Sequence, residues 1–213
     1  MLQVYLTNLG LYNEGELCGE WVDLPVSFAD FTAVLERIGI DGVEYEEYFI
    51  TDYDTDISGL TEHLGEYENL EALNCLAARL GDLREYQVDL LEAALELGEH
   101  TGDVYELIEL IDGMEDNYDF LPGVDDDDDL GTYWVEESGC YDTESLGPLS
   151  SYIDYERFGR DIRYDEGGTY TDHGYICCRG GSWTTFDPDD IPDEYRLRPN
   201  DDEGGMTDEQ APA

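Results

Sequence analysis

From Glu85 to Glu156 the chain has no lysine and no arginine, yet 23 of those 72 residues are aspartate or glutamate. Nothing else in the sequence limits its folding as tightly, because like charges at this density oppose compaction and each needs water or a partner. The order of the charges carries information as well. Glu85, Asp89, Glu92, Glu96, Glu99, Asp103, Glu106, Glu109 and Asp112 step by three or four throughout. On a helix this makes one carboxylate stripe, about 5 Å between successive charges at ~1.5 Å rise per residue. The stripe bends where the helices break. Such a stripe costs a few tenths of a kcal/mol per i,i+4 pair. The lysines and arginines that ordinarily relieve it are missing, so the field itself is the property retained.

The whole chain shares this bias. Nine basic residues, all arginine, against 55 acidic ones give a net charge of −46 over 213 residues. Nucleic acid and anionic membranes would repel such a surface, so the expected partner is basic. Leu, Ile, Val and Phe supply 50 residues, only just above the ~20% below which a charged chain stays disordered. Seventeen tyrosines and three tryptophans tip the balance toward folding, since each ring can bury a large area. Small cores, and stabilisation by screening cations, are expected. No apolar run approaches the ~18 residues of a membrane span. No basic residue precedes Arg37, so a signal peptide is not expected. Five cysteines without framework spacing fit reduced thiols and a cytoplasmic location.

The periodicity predicts an α+β protein in three small units: a small antiparallel sheet plus helix, a helical bundle, and a mixed α/β unit. Residues 1–58 hold strands at 2–8, 16–23 and 46–53, with Val4, Leu6, Leu17 and Trp21 as core candidates. Ser27 and Asp30 form a capping box for a helix ending at Gly39. Residues 59–113 read as three helices closed by Gly81, Gly98 and Gly113, their short connections implying antiparallel neighbours. Residues 114–181 open with the aspartates 125–129 at a helix start, where carboxylates suit the macrodipole. That helix carries Tyr133, Trp134 and Val135 and stops at Gly139. A short helix near Tyr152 follows, with strand-like 162–165, 168–171 and 174–178. Residues 182–213 read as a disordered acidic tail.

Several short motifs bear on chemistry. Asp125, Asp127, Asp129 and Glu136 match acidic positions of a calcium-binding loop, but Leu130 stands where its glycine is required. His173, Cys177 and Cys178 could offer three metal ligands, but adjacent cysteines chelate zinc poorly and no fourth ligand is signposted. Paired carboxylates for glycoside hydrolysis mean little among 55 acids. No nucleophile elbow or phosphate-binding loop is present in the sequence. The expectation is a protein without enzyme activity, metal or cofactor.

Certain segments resemble the ArdA antirestriction proteins of plasmids and conjugative transposons. They are Val4-Tyr5-Leu6-Thr7-Asn8-Leu9-Gly10 with Tyr12 to Leu17, Glu46-Glu47-Tyr48 with Asp52-Tyr53, and Tyr133-Trp134-Val135-Glu136-Glu137-Ser138-Gly139. Tyr152 to Tyr155, Phe158 to Asp161, and Asp172-His173-Gly174-Tyr175 follow. The segments occur in the family's order over about 1–178, and together they are specific. The unbroken aspartate run and the chain after Gly181 depart from the pattern.

The resemblance implies an elongated, dimeric, three-unit protein whose carboxylates imitate the phosphates of bent duplex DNA and block type I restriction-modification enzymes. The contact residues expected on that basis are the stripe from Glu85 to Asp112, Asp125, Asp126, Asp127, Asp128 and Asp129, and Glu136 with Glu137. Tyr133, Trp134, Tyr152, Tyr155 and Phe158 are expected in the core or a dimer interface. Arg157, Arg160 and Arg163 are expected to pair with Asp154, Glu156 and Asp161. Two other readings remain open on charge alone: a salt-adapted acidic protein of unrelated role, and a chaperone-like binder of some other basic protein.

Overall fold

The first strand, β1 (Leu2–Asn8), turns Leu2, Val4 and Leu6 inward. Asn8 accepts the Leu11 N–H at 3.0 Å and caps the single-turn α1 (Leu9–Asn13), which leads the chain back toward β2 (Gly19–Leu24). Ser27 then accepts the Asp30 N–H at 3.1 Å, opening α2 (Phe28–Arg37), and Gly39 leaves that helix at φ +81. With β3 (Tyr48–Thr55) the first sheet is antiparallel in the order β2-β1-β3, Val4 facing Val22 and Leu6 facing Ile50. The computed structural model that gives these positions describes residues 1–198.

Two core expectations fail here. Leu17 is exposed because β2 begins only at Gly19. Trp21 stands on the outward face, its ring edge-on to Tyr5 at 5.3 Å, while Val22 and Leu24 point in. A one-residue error in strand parity moves every side chain to the other face.

Three helices follow: α3 (Leu70–Asp82), α4 (Glu85–Leu97) and α5 (Val104–Asn117). Gly98, at φ +67, closes α4. Gly113 does not close α5, and the helix runs one turn further. A Cβ there would meet the Trp183 ring at 3.1 Å, so the glycine admits a packed indole and not a helix stop. One apolar cluster joins Val4 and Leu6 of the first sheet to Leu73, Leu76, Leu91, Leu107 and Ile108 of the helices. Asn74 is fully buried and explains part of that joint. Its amide pairs with both backbone polar groups of Val26 and also donates to the Tyr195 carbonyl at 3.2 Å.

The remaining strands and α-helices are β4 (Tyr118–Pro122), α6 (Asp127–Thr132), α7 (Tyr155–Glu166), β5 (Thr169–Thr171) and β6 (Gly174–Cys178). The second sheet is antiparallel in the order β4-β6-β5, with Phe120 opposite Ile176. Residues 162–165, expected as strand, lie inside α7. Asp154 caps its start on the Arg157 N–H, and Gly167 ends it at φ +68. A smaller apolar cluster of Val124, Leu130, Tyr175 and Cys177 sits under Tyr133, Trp134 and Ile162.

The chain from 182 to 198 also departs from expectation. It is a docked strap, with Ile191 buried, Trp183 stacked on His100 at 4.3 Å, and the Leu197 N–H donated to Glu71 at 2.8 Å. Local composition predicts disorder, but a few aromatic and aliphatic anchors find pockets on α3 and α5. Residues 199–213, the rest of the expected tail, lie outside the described residues. No helix among the described residues is long and apolar enough to cross a membrane.

Candidate partner-binding surface

The predicted stripe divides between α4 and α5, and turns from distant parts of the chain cover its middle. On α4, Glu85 is exposed and Asp89 half-buried, while Glu92 is only 9% exposed and accepts the Ser58 N–H at 2.7 Å. Glu96, one turn on, accepts the Asp172 N–H at 3.2 Å. Between those two carboxylates sits the His173 ring, 3.4 Å from Glu92 and 3.8 Å from Glu96.

A similar division occurs on α5. Asp103 caps the helix by accepting the Tyr105 and Glu106 N–H groups at 2.9 Å, and Glu106 reaches back to the Gly102 N–H at 2.7 Å. Glu109 is buried, bonded to His100 at 2.7 Å and to the Phe186 N–H at 2.7 Å. Asp112 pairs with Arg79 at 2.8 Å. Thus Glu92 and Glu109, expected as outward phosphate substitutes, are turned into the protein. Helical spacing puts them on the same face as their neighbours, but it gives no information on what covers that face. Glu85, Glu96, Glu99, Asp103 and Asp112 stay exposed.

The aspartate run is more open. Asp126 caps α6 by accepting the Asp128 and Asp129 N–H groups at 2.9 Å, and Asp125, Asp126, Asp128 and Asp129 are exposed. Asp127 is the exception. It takes Arg163 Nε and the Tyr170 hydroxyl, both at 2.8 Å. The Arg163 hydrogen bond holds its carboxyl below the usual carboxylate range. So Arg163 pairs with Asp127 and not with Asp161 or Glu156, because α6 crosses α7 closely. A Cβ on Gly131 would lie 2.0 Å from the Tyr155 carbonyl oxygen, and one on Gly159 would lie 1.9 Å from that of Asp127. Arg157 and Arg160 form no ion pair among the described residues; Asp154 is used as a helix cap.

Past α6 the helix continues as a wide π turn, Tyr133–Glu137, that carries Glu136 and Glu137 outward. Glu136 accepts the Tyr155 hydroxyl at 2.5 Å, a bond that pushes the phenol up from its ordinary value. Tyr133 and Trp134 pack on the small cluster, and Phe158 meets Tyr141 edge-on at 5.7 Å. Tyr152 is different, being 84% exposed beside an exposed Leu149.

Six of the nine arginines are held in ion pairs within the chain: Arg37 with Glu20, Arg79 with Asp112, Arg163 with Asp127, Arg179 with Asp119, Arg196 with Glu71, and Arg198 with Asp193. The outward carboxylates therefore meet solvent with little positive charge among them. Sequence periodicity did not identify Ser58, His100, His173 or Phe186 as partners of the stripe, since each lies outside the helix it serves. His173 also lies apart from the cysteine arrangement considered for it: Cys177 is buried beside Glu166, and Cys178 is exposed.

A family model described as antirestriction protein (ArdA) matches residues 4–177. No curated protein matches the chain.

Proposed function

The chain belongs to the ArdA antirestriction family, and from that premise we propose that it acts without catalysis, as a mimic of duplex DNA in the DNA-binding groove of a type I restriction-modification enzyme. The observation that carries this reading is the division of charge. Six of the nine arginines are drawn into internal pairs, while Asp125, Asp126, Asp128, Asp129, Glu136 and Glu137 project together from one short stretch. Glu85, Glu96 and Glu99 extend the surface along and just beyond α4.

A groove lined with lysine and arginine attracts such a surface over long range and then replaces phosphate contacts with carboxylate contacts. Each contact is weak, so affinity comes from their number. Exposed Tyr152, Leu149 and Tyr141 support a homodimer, with apolar surface that a second copy would cover. Tyr133, Trp134 and Phe158 serve the fold beneath it.

The test is equilibrium binding to a purified type I enzyme in the presence of its cognate DNA. Mutually exclusive binding, one inhibitor unit per DNA site, is expected. Simultaneous binding of both would refute the mimic and favour a chaperone-like role. Sedimentation at micromolar protein in moderate salt checks the dimer, and a monomer there would remove it.

A further inference from the structure

We propose that Asp89, Glu92 and His173 form a binding site for a borderline divalent cation of the zinc kind, joining α4 to the β5–β6 turn. Asp89 and Glu92, three residues apart, share a face of α4, and the turn brings His173 onto it. One ligand atom from each lies within 4.8 Å of the others. Two carboxylates and an imidazole suit Zn²⁺ or its first-row neighbours better than the all-oxygen sets that calcium and magnesium prefer.

Glu92 is the most buried of the three, and one of its oxygens faces the imidazole. This carboxylate is nine-tenths buried, and Oε1 is satisfied by the Ser58 N–H at 2.7 Å. Oε2 receives no hydrogen bond among the described residues and faces His173 Nδ1 at 3.4 Å. A charge-assisted hydrogen bond would close to about 2.7–2.9 Å. The same pair of residue types does close elsewhere in this protein, His100 to Glu109 at 2.7 Å. A separation of 3.4 Å instead matches the edge of a tetrahedron with bonds of ~2.1 Å, the Zn–N and Zn–O length. On the far side of the ring, Glu96 stands 3.8 Å from Nε2, held there by the Asp172 N–H. At that separation it sets a negative charge beside the ring without hydrogen bonding to it. A bound cation would fasten the second sheet to the helices and neutralise the covered middle of the stripe without reaching its outward members.

The experiment is titration of the full chain with Co²⁺, followed by visible absorption and repeated in about a hundredfold excess of Mg²⁺. One equivalent should bind, with ligand-field bands, no thiolate charge-transfer band, and no displacement by Mg²⁺. Losing an outer-shell partner already costs roughly 10–100-fold in metal affinity, so His173→Gln should weaken binding at least about a hundredfold. The Asp89 side chain makes no hydrogen bond among the described residues, so Asp89→Asn tests the same site with little risk to the fold, and Glu85→Gln on the same helix should bind as the parent does. The site is refuted by absence of saturable binding, by displacement with Mg²⁺, by a thiolate band, or by binding that both site substitutions leave unchanged.

Discussion

The α4–α5 stripe and the aspartate run 125–129 look alike in sequence and are used differently in the fold. Both are dense in carboxylates, and no arginine lies among them. Along the stripe, Ser58, Asp172 and Phe186 offer backbone N–H groups and His100 and His173 offer rings, so Glu92 and Glu109 are drawn inside. In the run only Asp127 is drawn inside, by Arg163 and Tyr170. The difference lies in coverage. The stripe belongs to helices at the centre of the larger apolar cluster, where other segments must pass over them. The run sits at the start of a short helix that α7 crosses closely through two glycines, with its outward turn left uncovered among the described residues. Charge spacing alone therefore does not separate a scaffold carboxylate from a free one.

The largest effect should come from separating α6 from α7. In Gly159→Val the new Cβ must displace the Asp127 carbonyl, and overpacking against backbone costs roughly 1–3 kcal/mol or more. Inhibition should be lost along with the local fold of α6 and α7, while the larger apolar cluster should unfold in urea near the parent's midpoint. Unchanged stability in Gly159→Val would show that the crossing does not hold the run in place.

Next in size is Glu109→Leu. It leaves the Phe186 N–H and His100 without their acceptor, and a buried polar group left unsatisfied costs about 1–3 kcal/mol. Inhibition per folded molecule should not change, since this carboxylate faces inward. A variant as stable as the parent but weaker as an inhibitor would reverse the assignment.

Acid should distinguish the regions in a smaller way. The folded value of Asp127 is depressed by Arg163, so its contribution is present above the ordinary aspartate value of ~3.9 and fades as pH falls through the lowered one. Asp127→Asn should flatten that acid limb of the stability curve. The smallest effect belongs to single outward charges. Asp128→Asn or Glu137→Gln should weaken inhibition less than about tenfold, because an exposed pair is worth roughly 0–1 kcal/mol. Four neutralised together should lose far more.

Local signals predicted much of this fold correctly. The Ser27–Asp30 cap, the left-handed glycines 39 and 98, and inward Val4 and Leu6 are read directly from neighbouring residues. Features that depend on distant partners were not visible. β4 is short and pairs with β6 more than fifty residues later, the strap relies on scattered anchors such as Ile191, and Gly113 exists for Trp183. Trp21 was misplaced by parity, an error of a single residue with a complete change of face. For the surface, the abundance of carboxylate was legible. Its division into inward and outward members was not, because that depends on which turns happen to cover α4 and α5.

The central claim, that outward carboxylates stand in for phosphates, is tested most directly by the salt dependence of binding to a purified type I enzyme. Affinity should be measured from about 50 to 200 mM salt for the parent and for a variant with Asp125, Asp126, Asp128 and Asp129 changed to asparagine. With 6–10 phosphate-like contacts the parent should lose up to ~10³ in affinity over that range, and the variant should show a shallower slope as well as weaker binding. An affinity that barely responds to salt, or a variant with the parent's slope, would contradict the account.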